Sequence, residues 1–198
     1  KRGQGVLLPF SGQLLRVPGN VFVIGTMNTA DRSIALLDAA LRRRFGFVEL
    51  MPDPSTLGKT VVGGVPLAPW LAALNRRLVE HLGRDARNLQ IGHAYFLESG
   101  KPISDLGKLI RILQDDLIPL LEEYCYEDYG ALTKILGQGM IDETKQRIKH
   151  ELFDVGRHDD LHQALMALNP DLATSPEVVA ASADDVDQDS EPDTDGSE

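Results

Sequence analysis

The fold is decided by the stretch VFVIGTMNTADRSIALLDAALRRRFGFVEL, which runs from Val21 to Leu50. It opens on residues 21–24 (VFVI), a continuous β-branched and aromatic run typical of a strand that is buried on both faces. Ser33 is a plausible N-cap for the next segment, whose apolar residues recur at i, i+3 and i+7 as in a helix. Residues 45–50 (FGFVEL) are predicted as the following strand. Strand, loop, helix and strand in this order predict an α/β unit.

Composition predicts a globular chain with a distinct acidic end. The chain has 198 residues, of which 42% are hydrophobic, enough for a core. It has 20 Lys and Arg against 30 Asp and Glu, and ten of the acidic residues lie from Asp171 onward, where there is no Lys or Arg. Residues 1–170 are therefore neutral overall, which does not favour an extended surface for nucleic acid or membrane.

The compartment is predicted from the cysteine count and from hydropathy. Cys125 is the single cysteine, which excludes an internal disulfide and fits a reducing cytosol. The sequence shows no signal peptide and no apolar run of the roughly 18 residues that a membrane span needs. We therefore expect a cytoplasmic protein with no membrane contact.

Pro and Gly residues divide the chain into segments. Residues 6–8 and 14–16 are predicted as two short strands of a hairpin, and crowded Pro and Gly residues place a domain boundary near residues 51–66. The pattern beyond it is helical. Helices are predicted at residues 67–82, from a cap at Ser104 through Leu117 and on through residues 118–121, and at residues 142–153 and 159–168. From Asp171 the chain has almost nothing large to bury and is predicted to be disordered.

Asn28 lies just past the predicted central strand. In open α/β sheets ligands bind beyond the carboxyl ends of strands, so Asn28 is well placed to orient a water molecule or to contact a phosphate. The residues around it also suit a simple capping loop, because Asn, Thr, Asp and Ser are all turn and N-cap residues. From the residues alone both interpretations stay open.

Three consecutive arginines, Arg42, Arg43 and Arg44, end the predicted helix. Cations at a helix C-terminus are favoured by the helix dipole, at roughly 0.3 to 1 kcal/mol each. Three in a row exceed that need, and a guanidinium is suited to stabilising charge on a transferring phosphoryl group. The alternative interpretation is therefore an arginine finger.

Two further patterns do not predict sites. Residues 57–60 (LGKT) imitate the end of a phosphate-binding loop, but the first glycine of that motif would fall at Asp53, and no helix follows. His158 and His162 have the i, i+4 spacing of metal ligands, but no Cys and no third clustered ligand accompany them. A solvated helix face is the better interpretation, and no metal site is predicted.

A family resemblance is carried by several segments together. Residues 20–33 (NVFVIGTMNTADRS) and 37–45 (LDAALRRRF) closely resemble the McrB family of AAA+ NTPases, whose M-N-x-A-D-R signature is complete here. Residues 91–96 (IGHAYF) resemble the lid segment of that family, with Ala94 where Ser is commoner. Residues 119–124 (PLLEEY) resemble a further lid helix.

The resemblance implies a fold and a domain organisation. Residues 1–51 correspond to the C-terminal strands of an AAA+ P-loop NTPase core, which has an α/β fold. Residues 52–170 correspond to an α-helical lid, and residues 171–198 are left as the disordered acidic tail.

The resemblance also implies roles for single residues. Asn28 corresponds to the sensor 1 residue that positions the attacking water, and Asp31 and Arg32 complete the signature. Arg43 and Arg44 match the arginines that face the nucleotide of the neighbouring subunit. In the lid segment, His93 is expected to contact the cofactor.

Cofactors and partners follow from the same resemblance. The expected cofactor is GTP or ATP with Mg²⁺, and the expected partners are further copies in an AAA+ ring, a McrC-like nuclease subunit, and DNA bound through other domains. An AAA+ module places its Walker A and Walker B motifs before sensor 1, and neither is present in this sequence. We therefore expect a C-terminal piece, a remnant or half of a split protein that lacks catalysis alone. The alternative is a non-catalytic interaction module that binds or caps a partner ring.

Overall fold

The computed structural model describes residues 5–27, 43–83 and 86–168. The chain divides into two compact units, Lys1–Arg44 and Phe45–Glu198. The helix predicted after Ser33 and the acidic tail predicted to be disordered lie outside the described residues. The domain limits predicted after residues 51 and 170 stay predictions.

A β-hairpin forms the described start of the first unit. Strand β1 (Gly5–Leu7) pairs antiparallel with β2 (Leu14–Arg16), and Val6 lies opposite Leu15. The loop between the strands closes where the N–H of Leu8 donates to the carbonyl of Gln13 at 2.9 Å. The predicted hairpin is therefore confirmed.

The two strands predicted on either side of Asn28 are not observed. Residues 21–24 and 45–50 form no strand with any described residue, and the Ile24 side chain is 93% exposed. A strand buried on both faces requires neighbouring strands to take up its backbone N–H and C=O groups. The described part of the chain contains only two-stranded hairpins, so it supplies no sheet around these residues. The strand core of the predicted AAA+ fold is not confirmed.

The second unit is mainly helical, with three short hairpins. The strands pair antiparallel as β3 (Val61–Val62) with β4 (Val65–Pro66), β5 (Leu97–Glu98) with β6 (Lys101–Pro102), and β7 (Ile141–Asp142) with β8 (Arg147–Ile148). The α-helices are α1 (Leu67–His81), α2 (Leu106–Arg111), α3 (Ile118–Cys125), α4 (Tyr129–Leu136) and α5 (His158–Met166), and a π-helical segment (Ile112–Leu117) joins α2 to α3. Short 3₁₀ helices cover Pro54–Leu57, Ala86–Leu89, His93–Phe96 and His150–Phe153.

Local capping residues explain where these helices begin and end. The side chain of Asp105 accepts from the N–H of Lys108 at 2.8 Å, so Asp105 is the N-cap of α2, and the prediction of Ser104 was wrong by one residue. The Asp128 side chain accepts from the first N–H groups of α4. Gly137 ends α4 with a φ of 87°, a conformation that favours glycine.

Three predicted helical segments are confirmed and one is wrong. Helix α1 matches the prediction for residues 67–82, and α5 matches that for residues 159–168. Helix α2, the π-helical segment and α3 together match the prediction that runs from the cap through residue 121. Residues 142–153 instead form the end of the β7–β8 hairpin and a 3₁₀ helix. The side chain of Asp142 accepts from the N–H of Lys145 and stabilises the turn, which a helix would not contain.

The core of the second unit is built around Trp70 of α1. Its ring is 1% exposed and packs edge-to-face on Phe96, with centroids 6.1 Å apart. The Trp70 Nε1–H donates to the carbonyl of Leu165 at 3.2 Å, which fixes α5 against α1. No helix within the described residues has the length and hydropathy needed to cross a bilayer.

Candidate functional site

A hydrogen bond links Asp53, which precedes the first helix, to His93, which lies in the segment predicted to contact the cofactor. The backbone N–H of Asp53 donates to Nδ1 of His93 at 3.0 Å. Since Nδ1 acts as the acceptor, the neutral ring carries its proton on Nε2. We call this Asp53–His93 contact the linker clasp. It leaves the Nε2–H edge of His93 without a hydrogen bond to any described residue.

Asp53 is itself held in one conformation by capping bonds. Its Oδ1 accepts from the hydroxyl of Ser55 at 2.6 Å and from the N–H of Ser55 at 3.0 Å. These bonds favour the charged carboxylate. The pKa of Asp53 lies below the ordinary value of 3.8. The hydrogen bond from the Ser55 hydroxyl lowers it most, the bond from the Ser55 N–H comes next, and His93 has a smaller effect. Asp53 therefore caps the 3₁₀ helix Pro54–Leu57 as an ionised carboxylate.

The lowered pKa of Asp53 predicts how its capping bonds to Ser55 respond to acid. A carboxyl group with a depressed folded-state pKa contributes stability above the unfolded value, 3.8, and loses it as the pH falls through the folded value. We expect Asp53→Asn to lower the melting temperature at neutral pH, and the difference from wild type to shrink progressively below pH 3.8. Thermal unfolding across a pH series measures this, and a constant difference down to the acid limit would contradict it. Asp154→Asn, another exposed carboxylate of the same unit, is the control.

Asn75 of α1 holds the segment that contains His93. Its side chain is 5% exposed, its Oδ1 accepts from the N–H of Ile91 at 2.7 Å, and its Nδ2 donates to the carbonyl of Ile91 at 2.9 Å. This two-way pairing satisfies both backbone groups of a buried residue. Because Ile91 lies two residues before His93, the pairing positions the clasp on α1.

An open groove lies between the residues that flank Asp53 and helix α1. It measures about 440 Å³, within the range of small-molecule sites, which is roughly 300 to 1,000 Å³. Linker residues, one face of α1 and a residue before His93 form its walls: Pro52, Pro54, Ala72, Asn75, Arg76, Val79, Glu80 and Gln90. We call it the linker groove. It combines apolar walls with a few charged and amide groups.

The predicted site residues are divided between the two units. Asn28, Asp31 and Arg32 lie outside the described residues, so their predicted roles are untested. Arg43 and Arg44 are exposed at the end of the first unit, and His93 lies in the second. The structure therefore describes the surroundings of His93 in detail.

The two rejected patterns take structural roles. Gly58 ends the 3₁₀ helix Pro54–Leu57, and the chain continues into β3 rather than into a helix, as predicted for residues 57–60. His162 of α5 contacts the carbonyl of Gly64 at 3.3 Å. Among the residues that the structure describes, no group of three or more His, Cys, Asp or Glu side chains is arranged to hold a metal.

Part of the helical unit, including His93, matches a known type of lid domain. Residues 66–133 match the family model described as McrB, alpha-helical lid domain. The match begins at the end of β4 and includes α1 through most of α4. Residues 66–133 of the helical unit therefore resemble the helical lid of McrB.

A curated relative extends this likeness beyond the lid. The Type IV methyl-directed restriction enzyme EcoKMcrB subunit of Escherichia coli (strain K12) is 36% identical over 145 residues. The aligned region covers 65% of this chain and 31% of that protein, so the chain spans about a third of the relative's length. The chain is McrB-like, as the signature residues predicted.

Sequence reasoning missed two of the residues that build this site. Asp53 precedes Pro54 and Ser55, and an Asp followed by Pro at the first helical position is a recognisable start signal. Asn75 is a lone amide among the apolar residues Leu71, Leu74 and Leu78 of α1. A polar residue on a buried stripe indicates a buried hydrogen bond, although the pattern does not name the partner.

Proposed function

We propose that this chain supplies the lid, the subunit-contact arginines and the sensor 1 residue of a McrB-like AAA+ NTPase that hydrolyses GTP or ATP in a ring. The observation that carries the proposal is the McrB lid match at residues 66–133. The linker clasp supports it, since it fixes the chain entering the lid against the lid segment that the sequence singled out.

In this proposal part of a nucleotide lies in the linker groove, because its apolar walls and its amide and charged groups suit a base or ribose. His93, whose Nε2–H has no hydrogen bond to a described residue, is a further donor of the lid segment. Residues 57–60 lack the helix N-terminus of a phosphate cradle. In this proposal phosphates and Mg²⁺ are bound by Walker residues of the intact module. Mg²⁺ there neutralises charge on the phosphates.

The remaining predicted residues act on the phosphate end in this proposal. Asn28 orients the attacking water within its own subunit, and Asp31 and Arg32 support its loop. Arg43 and Arg44 reach the nucleotide of the neighbouring subunit. The curated relative is a restriction-enzyme subunit. We extend that role to this chain, with a McrC-like nuclease and DNA as partners of the ring in the cytoplasm.

Nucleotide binding tests the proposal. The chain as printed should bind neither GTP nor ATP at micromolar concentration in calorimetry with Mg²⁺, because the phosphate cradle and its lysine are missing. The intact parent should bind one of them, and His93→Ala should weaken that binding. His150→Ala, which changes an exposed histidine outside the clasp, is the control. Tight nucleotide binding by the printed chain would contradict the proposal that Walker residues bind the phosphates. If His93→Ala leaves nucleotide binding by the parent unchanged, His93 does not belong to the site.

One observation favours a second candidate, a non-catalytic module that binds or caps a ring. The first unit exposes many large apolar side chains, among them Phe10, Val23 and Ile24. Contiguous exposed apolar surface marks interaction sites. Adding the chain to an active McrB-like ring distinguishes the two candidates. A fall in the hydrolysis rate with increasing chain supports the capping role, and an unchanged rate excludes it.

A further inference from the structure

Three cations gather around the C-terminal end of helix α4. A guanidinium nitrogen of Arg77 donates to the carbonyl of Lys134, in the last turn of α4, at 3.2 Å. The Lys149 ammonium donates to the carbonyl of Gln138, just beyond the helix, at 2.9 Å. Lys134 adds its own exposed side chain. We call Arg77, Lys134 and Lys149 the basic cluster.

The basic cluster is not neutralised by the described part of the chain. Five other cations in the described part of this unit pair with carboxylates: Arg87 with Glu49, Lys108 with Glu98, Lys145 with Asp142, Arg147 with Glu151, and Arg157 with Asp160. None of the cluster's cations has an ion pair with a described carboxylate. The helix dipole accounts for cations at this place, but each carbonyl uses one donor. A guanidinium has five N–H donors and an ammonium three, so donors remain for an anion.

The described chain ends close to the basic cluster. Gly139, next to Gln138, packs so tightly on α5 that an added Cβ would lie 2.8 Å from Cα of Ala164. The carbonyl of Leu165 binds Trp70, which lies on the same face of α1 as Arg77 and about 10 Å from it along the helix axis. The last described residue, Leu168, is buried, and its N–H donates to the same carbonyl of Leu165 at 3.3 Å. A segment that follows Leu168 therefore starts within a short distance of the cluster.

The segment that follows has the complementary charge. Residues 171–198 contain ten Asp and Glu and no Lys, Arg or His. Asp171 is three residues beyond Leu168, a span of up to about 10 Å, and the acids from Asp184 onward have a much longer reach. We propose that this acidic segment docks on the basic cluster of its own chain. It thereby occupies the cluster's free donors and excludes other polyanions from this face of the lid.

Zero-length crosslinking tests the proposal on the full chain. A carbodiimide joins carboxylates to lysine amines only where they touch, and peptide mass spectrometry locates the bonds. Carboxylates of the acidic segment should crosslink to Lys134 and Lys149 at least threefold more often than to Lys59 and Lys101, which are exposed lysines outside the basic cluster. Raising NaCl from about 0.05 to 0.5 M should remove the preference, because the Debye length falls well below 10 Å.

Matched variants distinguish docking on the basic cluster from nonspecific attraction between opposite charges. Arg77→Gln should reduce the crosslinks at Lys134 and Lys149 at least twofold, although it removes no reactive amine. Arg111→Gln removes the same charge from α2 and should leave them unchanged. Mixing ¹⁴N- and ¹⁵N-labelled chains shows whether each crosslink lies within one chain.

Three results would overturn the proposal. Crosslinks spread evenly over all exposed lysines would mean that the tail has no preferred surface. Mixed-isotope crosslinks at Lys134 and Lys149 would make a second copy the occupant. If the crosslinks show no preference and added duplex DNA protects the same two lysines from acetylation, nucleic acid is the occupant.

Discussion

Replacing Arg43 or Arg44 by Ala in the intact parent should slow NTP hydrolysis by about 10³ to 10⁵-fold, the range known for arginine fingers in phosphoryl transfer. Nucleotide binding should change far less, because a finger acts on charge that develops in the transition state. Both arginines are exposed, so their removal should cost little stability. Steady-state hydrolysis and equilibrium nucleotide binding measure the two effects. Arg42→Ala is the control, with a small expected effect as the helix-end arginine.

Mixing subunits tests whether these arginines act across an interface. An Arg44→Ala subunit keeps its nucleotide pocket but has no finger, whereas a Walker-dead subunit has a finger but no pocket. The mixture should regain part of the activity at mixed interfaces. Asn28→Ala should also slow hydrolysis, but its defect should stay within its own subunit. A mixture that assembles into rings yet remains as inactive as either parent would leave Arg43 and Arg44 as simple helix-end cations.

Trp70→Ala should destabilise the lid by about 3 to 5 kcal/mol, the usual cost of a large aromatic deletion in a core. The ring is buried against Phe96, and its Nε1–H satisfies the carbonyl of Leu165. The substitution therefore leaves a cavity and removes one donor to this carbonyl, which still accepts from the N–H of Leu168 at 3.3 Å. Urea unfolding followed by circular dichroism measures the loss.

Two variants calibrate the Trp70 prediction. Trp70→Phe keeps much of the aromatic volume but removes the donor, so its cost should fall between wild type and Trp70→Ala. Val79→Ala truncates a side chain on the same helix that is 44% exposed, and it should change the stability by less than about 0.5 kcal/mol. If Trp70→Ala costs no more than Val79→Ala, Trp70 is not the centre of the lid core.

Several parts of the structure could be predicted because they depend on near neighbours. The β1–β2 hairpin and helices α1 and α5 follow from apolar periodicity and from turn residues within each segment. The failure at residues 142–153 has a local cause as well. The apolar spacing there suits a short helix, but the chain forms a turn stabilised by the Asp142 side chain, and Ile141 pairs with Ile148 in a hairpin.

The candidate site was predicted only in part. The resemblance led to residues 91–96 and to a lid, and the McrB match confirms the lid. The roles of Asn28, Arg43 and Arg44 stay predictions, since they depend on a bound nucleotide and on a second subunit. The partner of His93 was not predicted at all.

Local sequence was enough to specify helices α1 and α5 and the β1–β2 hairpin, because these depend on contacts within a few residues, and it was enough to show the McrB-like signature. It could not specify the clasp, in which His93 accepts from a backbone N–H that lies 40 residues earlier. Nor could it show that residues 21–24 have no sheet among the described residues, since an apolar run becomes a buried strand only when neighbouring strands pair with it. Pairing between distant segments was decided by how the chain packs, and that packing brings Asp53, Asn75 and His93 to one side of α1.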